Sequence, residues 1–431
     1  MDFGHWLSGA AGRRPERVAI AAGDEEVTYR ELLLRAVRAA GALHLRGATR
    51  GEPVALTLEP GLPFLEALHG CLILGTPAVP IDPRLADRER QAVLREVEIR
   101  IERPMTGESG VFQLPDPAER EEIALVVHTS GTTGTAEPVA LTYGNIRANT
   151  RGLAQAMHLA DDERWLCPLP LSHVGGLMVF LRSVLLATTA VLAPPPFDAE
   201  AVARQLREDD ITIVSLVPTQ LQRLLAAGAT PGPKLRRVLL GGGSMPHALL
   251  ERARAAGFPV CPSYGLTQAC STVTVAQPGD LETAGKAIPG VGVAIADDGE
   301  ILVSGGTVNT LGSLRTGDIG RIDERGRLIV TGRKGDLIIT GGENVSPAEV
   351  EAVLVEHDAV AEAAVFARPH PLWGEAVTAW VVAEPGAELT QATLRAHCLD
   401  RLAGFKVPKT FELVDELPRT ESGKVRRTEL R

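Results

Sequence analysis

The sequence predicts an α/β protein: a large N-terminal α/β domain with layered sheets and a β-rich end, followed by a small C-terminal α+β domain. The chain has 431 residues, of which 45% are hydrophobic, and this is enough material for two or three domains. Short apolar runs alternate with amphipathic stretches as far as about residue 262, which indicates strands and helices in turn. After about residue 290 the pattern changes to hairpin-like pairs of strands.

Strands of the large domain are predicted at short apolar runs, because parallel strands covered on both faces have this character. The runs are Val54–Leu58, Ala78–Ile81, Ile123–Val127, Ala190–Ala193, Ile211–Val214 and Val238–Leu240. Amphipathic stretches predict helices at Glu31–Leu45, Pro63–Leu74, Asn145–Met157, Glu200–Glu208 and Pro246–Ala256. Thr28 and Glu31 form a capping-box pattern at the first helix. The most apolar stretch, 174–192, contains Arg182 and glycines, and it predicts a buried helix followed by a strand.

The C-terminal part of the chain predicts a self-contained unit. It follows a strand at Ile301–Ser304 and a hairpin whose strands are Gly320–Asp323 and Leu328–Thr331. Beyond them, the predicted elements are Pro347–Val355 and Thr393–Leu402 as helices, Ala363–Phe366 and Ala376–Val382 as strands, and a polar tail. Turn residues and charge at 332–336 mark the boundary, so we expect domains at 1–333 and 334–431.

Composition excludes several classes of function. The formal net charge is −10, from 44 basic and 54 acidic residues, which argues against nucleic-acid binding by bulk electrostatics. The five cysteines show no CxxC or Cys/His metal spacing, so we expect a reducing compartment rather than a disulfide framework. Residues 1–15 lack the apolar stretch of a signal peptide. We therefore expect a cytoplasmic protein without integral membrane association; a homodimer stays open.

A loop rich in threonine and glycine, Thr129-Ser-Gly-Thr-Thr-Gly134, follows a predicted apolar strand. Its two glycines permit a tight turn that brings backbone N–H groups close to an anion, and its hydroxyls can follow phosphate oxygens. It is not a Walker A loop, because no Gly-Lys-Ser/Thr follows. Taken alone, the pattern fits a solvated turn about as well as a phosphate cradle.

Four further motifs follow this loop in order. They are Tyr264-Gly-Leu-Thr267, Arg315-Thr-Gly-Asp318, Gly332-Arg333 with 341–344 and 347–349, and the C-terminal segment Pro418–Lys424. Through these five motifs the chain resembles the adenylate-forming superfamily of acyl- and aryl-CoA ligases over nearly its whole length. The resemblance implies that ATP, with Mg²⁺, converts a carboxylic acid to an acyl-adenylate, and that coenzyme A then attacks to form a thioester.

The resemblance also implies a role for each motif. The implied nucleotide-binding residues are Thr129, Ser130, Gly131, Thr132, Thr133, Gly134, Gly242, Tyr264, Gly265, Thr267, Asp318 and Arg333. The implied metal ligands are Gln268 and Thr133, the implied acid-binding residues are His173, Arg182, Gly241 and Gly243, and the implied catalytic residues are Lys424, His173 and Thr267. Lys424, on a small domain that rotates, would supply positive charge for the first step and withdraw for the second.

An ordinary structural or surface role remains possible for several of these residues. Tyr264, expected to lie under the adenine, could be an ordinary core tyrosine, and Asp318, expected at the ribose hydroxyls, could be a turn aspartate. Arg333 fits a solvated surface arginine as well as a nucleotide contact. Lys424 could be a solvated lysine, although the chain has only six lysines and this one stands in a superfamily motif.

The chain departs from the superfamily pattern at two positions. Glu137 stands where a lysine usually follows the loop, and Gln268 stands where a magnesium-binding glutamate is usual. A carboxylate beside a triphosphate is repulsive, and an amide oxygen can bind Mg²⁺ but supplies no charge. We therefore expect weaker ATP binding than in a typical member. The predicted hinge position carries Gly335, which would ease the backbone rotation.

Several local segments indicate the acid. Residues 141–145, 170–177, 180–184 and 240–243 resemble those of the o-succinylbenzoate–CoA ligases of menaquinone synthesis. Arg182 could hold a second carboxylate or extend to the surface, and His173 could gate the acyl tunnel or be an interior histidine. The alternatives are a ligase for another fatty or aryl acid, an amino-acid-activating domain, and a catalytically weakened nucleotide- or acyl-CoA-binding homologue.

Overall fold

The computed structural model describes residues 6–85, 87–95, 97–105, 115–129, 137–243, 245–310, 312–341, 343–419, 425–426 and 429–430. Helices lie at Trp6–Arg13 (α1), Tyr29–Leu45 (α2), Leu62–Leu74 (α3), Asp87–Leu94 (α4), Tyr143–Ala156 (α5), Val174–Leu186 (α6), Ala199–Glu208 (α7), Pro218–Ala226 (α8), His247–Ala255 (α9), Pro347–Val355 (α10) and Gln391–Arg401 (α11). Short 3-10 turns lie at Thr267–Ala269 and Lys334–Asp336.

The strands up to residue 287 belong to two sheets. They are Val18–Ala22 (β1), Glu25–Thr28 (β2), Val54–Leu56 (β3), Ala78–Pro80 (β4), Ile99–Ile101 (β5), Ile123–Thr129 (β6), Glu137–Thr142 (β7), Arg164–Cys167 (β8), Thr189–Leu192 (β9), Ile213–Leu216 (β10), Arg237–Leu240 (β11), Val260–Leu266 (β12), Ser271–Val275 (β13) and Lys286–Ala287 (β14). Within the described residues, the larger sheet has the order β14-β13-β12-β11-β10-β8-β9-β1-β2 and the smaller one β5-β3-β4-β6-β7.

Parallel pairing dominates the centre of both sheets. Strands β12, β11, β10, β8, β9 and β1 are parallel to their neighbours in the larger sheet, as are β5, β3, β4 and β6 in the smaller one. The largest apolar cluster contains helices α2, α3, α5 and α6 together with strands of both sheets. A second cluster covers the opposite face of the larger sheet with α7, α8 and α9. This layered arrangement confirms the predicted fold class, because each apolar strand is buried on both faces.

The remaining strands form two further sheets. They are Val291–Ile295 (β15), Glu300–Gly305 (β16), Leu314–Ile322 (β17), Leu328–Arg333 (β18), Ile338–Thr340 (β19), Glu343–Val345 (β20), Val360–His370 (β21), Gly374–Ala383 (β22) and Thr410–Leu413 (β23). Strands β15 to β18 pair antiparallel in sequence order, and β20-β19-β22-β21 form the C-terminal sheet, with β23 alongside β22. The C-terminal sheet packs its own apolar cluster against α10 and α11. The domain division at 333/334 stays a prediction.

Most predicted elements occur where the sequence places them, although several differ in their bounds. The Thr28–Glu31 capping box is present, with the Thr28 N–H donating to Glu31 Oε2 at 2.9 Å. Stretch 174–192 is helix α6 followed by strand β9, as predicted. Strand β10 starts two residues later than the apolar run, and Tyr264 lies inside strand β12 rather than after it. The tail after residue 402 was wrongly predicted as polar coil, because Phe411 in β23 is buried in the C-terminal sheet.

Two general features of the described residues concern the cysteines and the length of the helices. All five cysteines are buried and unpaired, as the absence of disulfide spacing predicts. None of the helices in the described ranges has both the length and the apolar character that crossing a membrane requires.

Candidate active site

The carboxyl ends of the parallel strands in the larger sheet meet along one edge, which is the usual ligand-binding edge of an open α/β sheet. Segment 168–173 leaves the end of β8, Gly241–Gly243 leave the end of β11, and Tyr264 lies near the end of β12. The β8 and β10 connections are tied together, because Gln220 Nε2 donates to the Pro168 carbonyl at 2.9 Å. The structure therefore places His173, the glycine run and Tyr264 along one edge.

The glycine run forms a smooth backbone surface at the end of β11. A Cβ atom at Gly241 would lie 2.7 Å from Ser263 Oγ, so a larger side chain would push against the neighbouring strand. Gly242 has a φ of +80°, in the left-handed region that favours glycine. Gly243 lies opposite Pro218, which begins helix α8. A flat ligand can therefore approach this backbone closely, which fits the nucleotide and acyl groups that the sequence predicts here.

Tyr264 and Asp318 form a pair that joins two sheets. The Tyr264 hydroxyl donates to Asp318 Oδ2 at 2.7 Å, and Arg333 Nε lies 3.6 Å from Asp318 Oδ1. Tyr264 is only 9% exposed, and burial together with the Asp318 charge raises the pKa of its hydroxyl, which therefore stays a donor. One carboxylate oxygen of Asp318 is thus already occupied. Arg333 approaches the other oxygen, Oδ1.

The part of strand β17 that precedes Asp318 is fixed by a second ionic cluster. Glu300 Oε1 accepts from the Gly317 N–H at 2.9 Å, while Arg315 Nε donates to Glu300 Oε2 at 2.9 Å. The Gly317 hydrogen bond and the arginine lower the pKa of Glu300, against the opposing effect of burial. Arg315 therefore pairs with Glu300 and fixes the strand that carries Asp318. Lys334 also reaches this cluster, with Nζ 2.8 Å from Asp298 Oδ2.

A strained turn follows the Tyr264 motif. Cys270 and Ser271 have φ values of 57° and 89°, which non-glycine residues rarely adopt. Gly265 is required for this turn, because a Cβ atom there would lie 2.0 Å from the Ser271 carbonyl oxygen. Thr267 and Gln268 lie on the 3-10 turn that the strained residues close, and the Gln268 side chain is exposed. The turn holds both side chains at the rim of the site, which is compatible with the predicted roles.

Gln268 offers a neutral ligand for a magnesium ion. Among the described residues, no three histidine, cysteine or carboxylate side chains come together as a metal site. Mg²⁺ is usually coordinated by one or two protein oxygens together with phosphates and water, and an exposed amide oxygen can be one of these ligands. The other predicted ligand, Thr133, lies outside the described residues.

The threonine- and glycine-rich loop joins strands β6 and β7. Thr129 at the end of β6 pairs in register with Glu137 at the start of β7, and β7 lies against the 3-10 turn of Thr267 and Gln268. The predicted phosphate-binding residues Ser130, Gly131, Thr132, Thr133 and Gly134 lie outside the described residues, as does Lys424. The described end of the hairpin at Glu137 therefore belongs to the strand that packs against the turn of the Tyr264 motif.

Replacing Glu137 with lysine is expected to lower the KM for ATP by about 3- to 10-fold, because a screened repulsion near the phosphates becomes an attraction. Glu137 is exposed at the start of β7, at the loop end of the β6–β7 hairpin, so a lysine fits there sterically. Steady-state kinetics at two salt concentrations measure the change, which should shrink at the higher one. Glu121→Lys is a matched control, since Glu121 is exposed at the other end of the same hairpin. An unchanged KM would show that Glu137 points away from the phosphates.

Arg182 is not a surface arginine, so the alternative that it extends to solvent is wrong. The residue is 1% exposed in α6, and its Nη2 donates to Asn149 Oδ1 at 2.7 Å. Its guanidinium lies 5.6 Å from the centre of the Trp165 ring, and its Nε has no hydrogen-bond partner. Burial lowers the pKa of Arg182 to about 10, so it remains charged at neutral pH. Within the described part of the chain, no carboxylate lies within ion-pair distance of this buried cation.

His173 lies where the two sheets approach each other. It is the N-cap residue of α6, but its side chain makes no capping hydrogen bond and is 40% exposed. Its Nε2 lies 4.0 Å from Oδ2 of Asp82, which leaves the carboxyl end of β4 in the smaller sheet. The structure therefore places His173 partly exposed between the carboxyl edges of the two sheets rather than in the core.

Two partners of these residues were not predicted from the sequence. Asp82 contacts the segment that carries His173, and Asn149 binds Arg182. A polar residue directly after an apolar strand was the available signal for Asp82, because the carboxyl ends of parallel strands face the same edge. Asn149 carried no such signal, since it lies in the middle of an amphipathic helix.

Comparison with known proteins gives a consistent result. Residues 7–102 and 101–317 match the family model "AMP-binding enzyme", and residues 349–424 match "AMP-binding enzyme C-terminal domain". The chain is 36% identical to a 2-succinylbenzoate–CoA ligase of Bacillus licheniformis, with 100% of both chains covered.

Two solved structures of the o-succinylbenzoate CoA synthetase of Bacillus subtilis are also similar. The complex with the acyl-adenylate intermediate has a TM-score of 0.91 at 33% identity, with 99% of this chain and 97% of that one covered. The complex with ATP and a magnesium ion has a TM-score of 0.91 at 32% identity, with 99% and 98% covered. Both the fold and the full length of the chain therefore match this type of ligase.

Proposed function

This chain belongs to the AMP-binding enzyme family, and from that premise we propose that it joins o-succinylbenzoate to coenzyme A at the expense of ATP. A carboxylate oxygen of the acid attacks the α-phosphorus, pyrophosphate leaves, and an acyl-adenylate forms. The coenzyme A thiol then attacks the acyl carbon, loses its proton, and displaces AMP. The observation that carries the proposal is the Tyr264–Asp318 pair, which lies beside the glycine run at the ligand-binding edge of the larger sheet. The chain that contains this pair is similar to such ligases over its full length.

Each described residue has a defined task in the first step. Asp318 accepts hydrogen bonds from the ribose, and the Tyr264 hydroxyl fixes the orientation of its carboxylate. The backbone at Gly241–Gly243 lets the nucleotide and the acyl group lie close together. The carboxylate and the α-phosphate repel each other, so fixed donors and cations must stabilise the charge that develops. We assign that task to the hydroxyl loop and to Lys424.

The two half-reactions need different surroundings for the same phosphorus. Positive charge at the α-phosphate favours adenylation, whereas coenzyme A needs access to the acyl carbon once pyrophosphate has left. Gly335 follows Lys334 in the segment between the third and fourth sheets, and a Cβ atom there would meet no other atom within 4 Å. We propose that rotation at Gly335 switches the site between two arrangements, one with positive charge at the α-phosphate and one with access for coenzyme A to the acyl carbon.

Bound Mg²⁺ would neutralise phosphate charge and orient the leaving pyrophosphate. Gln268 is the described residue placed to bind it, as one neutral oxygen ligand at the rim. We place the reaction in the cytoplasm, since ATP and coenzyme A are its substrates and five unpaired cysteines fit a reducing compartment.

The choice of acid is supported by Arg182. o-Succinylbenzoate has two carboxylates, of which one is activated and the other stays charged inside the acyl site. A buried cation without a carboxylate partner is energetically costly, and a substrate anion would compensate it. Arg182 lies on α6, whose N-cap is His173, so the cation and the rim histidine belong to the same helix.

Arg182→Met is expected to lower kcat/KM for o-succinylbenzoate by about 10- to 100-fold, because a charge-assisted contact contributes about 1.5–3 kcal/mol. The same substitution should leave kcat/KM for a monocarboxylic aryl acid within about twofold, since that acid lacks the second charge. Arg182→Lys should recover part of the loss. An equal decrease with both acids would mean that Arg182 acts only on the fold.

Coupled detection of pyrophosphate and thioester tests the function directly. The reaction contains o-succinylbenzoate, ATP, Mg²⁺ and coenzyme A, and a panel of fatty and aryl acids replaces the first substrate in parallel. We expect both products only, or most rapidly, with o-succinylbenzoate. Turnover with a simple fatty acid instead would identify a ligase for another acid. ATP binding by calorimetry without acid-dependent pyrophosphate release would indicate a weakened binding homologue, for which Glu137 and Gln268 give the reason.

A further inference from the structure

We infer that Asp82 is a positioning residue that holds His173 across the acyl entrance and thereby sets the affinity for the acid. The inference rests on the proposed function, because it gives His173 an acyl ligand. Asp82 lies just beyond β4 in the smaller sheet, whereas His173 caps α6 beside the larger sheet. Their 4.0 Å approach joins a residue at the carboxyl edge of the smaller sheet to one at the carboxyl edge of the larger sheet.

The Asp82 carboxylate is held from three directions. Its Oδ2 accepts from Ser172 Oγ at 2.8 Å and from Arg84 Nη2 at 2.7 Å, and its Oδ1 accepts from Arg84 Nε at 2.8 Å. The Arg84 N–H also donates to Oδ1, at 3.1 Å. The same Oδ2 lies 4.0 Å from His173 Nε2. The carboxylate is therefore a fixed acceptor, with the oxygen bound by Ser172 facing the imidazole.

The two side chains of this pair differ in burial. The side chain of Asp82 is 8% exposed, whereas that of His173 is 40% exposed. Burial alone would raise the pKa of Asp82, but the hydrogen bonds from Arg84 and Ser172 lower it to about 2. Asp82 is thus charged throughout the physiological range. The imidazole is the more exposed partner, and the carboxylate is the partner fixed by hydrogen bonds.

A purely structural role explains less of this geometry. Arg84 is a sequence neighbour and would neutralise the carboxylate without Ser172. The Ser172 hydrogen bond adds a link over 90 residues of sequence, directly beside the backbone of His173. That link fixes the start of α6, the helix whose buried Arg182 is assigned to the second carboxylate. Asp82 therefore acts on the acyl side of the site, away from Asp318 and the ribose.

Asp82→Asn keeps the shape and removes the charge, so a specific pattern is expected. The KM for the acid should rise about 5- to 10-fold, with the KM for ATP within about twofold. In a His173→Ala background, adding Asp82→Asn should change the KM for the acid by less than about twofold, because the two residues act as a unit. Ser172→Ala should give the same pattern more weakly. Additive effects in the double variant would overturn the inference.

Glu163 supplies a matched control at the opposite edge of the larger sheet, away from His173. It is a buried carboxylate just before β8, held by Arg236 Nη2 at 2.7 Å and by the Thr212 hydroxyl. Glu163→Gln should reduce thermal stability about as much as Asp82→Asn, with no change in the KM for the acid. If Glu163→Gln raises that KM equally, the effect of Asp82→Asn is on the fold alone.

Calorimetry separates failure of this inference from failure of the proposed function. The probes are AMP and a non-hydrolysable o-succinylbenzoyl-sulfamoyl adenosine. The parent should bind the acyl probe more tightly than AMP, and Asp82→Asn should weaken only the acyl probe. If the parent binds both probes equally, the proposed acid is wrong and the acyl role of Asp82 falls with it. If the parent discriminates and Asp82→Asn discriminates equally well, only the role of Asp82 is wrong.

Discussion

Lys424→Ala is expected to slow acyl-adenylate formation by about 100- to 1000-fold, which is the usual effect of losing a charged group aimed at a developing transition state. The reaction of preformed acyl-adenylate with coenzyme A should stay within about threefold of the parent, because the lysine is withdrawn in that step. Acid-dependent exchange between ATP and pyrophosphate measures the first half-reaction. Thioester release from supplied acyl-adenylate measures the second.

Lys234→Ala is the control for this prediction. Lys234 is one of the six lysines, and its Nζ pairs with Asp210 at 2.8 Å on the surface, with 58% of its side chain exposed. A surface ion pair of this kind contributes little, so both half-reactions should match the parent. If Lys424→Ala forms acyl-adenylate as fast as the parent, the proposed mechanism is wrong. Equal slowing of both half-reactions would show that the lysine does not withdraw.

The second large effect is expected from Asp318→Asn, which should raise the KM for ATP by about 10- to 100-fold. A hydrogen bond to a charged group contributes about 1.5–3 kcal/mol, and the neutral amide of asparagine would lose this contribution to binding of the ribose hydroxyls. The amide oxygen can still accept from Tyr264, so the link between the two sheets survives. Steady-state kinetics with ATP and with the acid varied separately should show the change for ATP alone.

Asp323→Asn tests whether that effect is local. Asp323 lies on the same hairpin as Asp318 and accepts from Arg327 Nε at 2.7 Å, away from Tyr264. Its replacement removes a comparable ion pair from the turn, so any decrease in stability should be similar, without an increase in the KM for ATP. Equal increases in that KM for both variants would reduce Asp318 to a structural residue of the hairpin.

The sequence predicted the strands, the helices and the order of the motifs well, because these are local properties. The apolar run before Thr129, the amphipathic stretch after Thr28 and the hairpin around 320–331 each contain enough periodicity to predict the element. The β23 strand was missed, since a short run with one buried phenylalanine looks like polar coil until a neighbouring strand pairs with it.

The candidate site was predicted in part. The motifs gave Tyr264, Asp318 and the glycine run as neighbours of one nucleotide, and the structure brings Tyr264 and Asp318 into contact. Their hydrogen bond to each other was not predicted. The sequence placed Arg182 in an apolar helix but left its direction open, and only packing against Trp165 and Asn149 shows that it is buried.

By itself, then, the sequence determined the α/β class, the adenylate-forming chemistry and the residue types that such chemistry requires. Only the tertiary structure decided which oxygen of Asp318 is occupied, that Arg182 has no acidic partner among the described residues, and that Asp82 reaches Ser172 from another sheet. The physical reason is that local patterns fix backbone conformation, while contacts between distant residues follow from how sheets and helices pack. The apolar strand before Asp82 indicates only the sheet edge on which this residue lies, whereas its hydrogen bond with Ser172 exists only where the edges of two sheets meet.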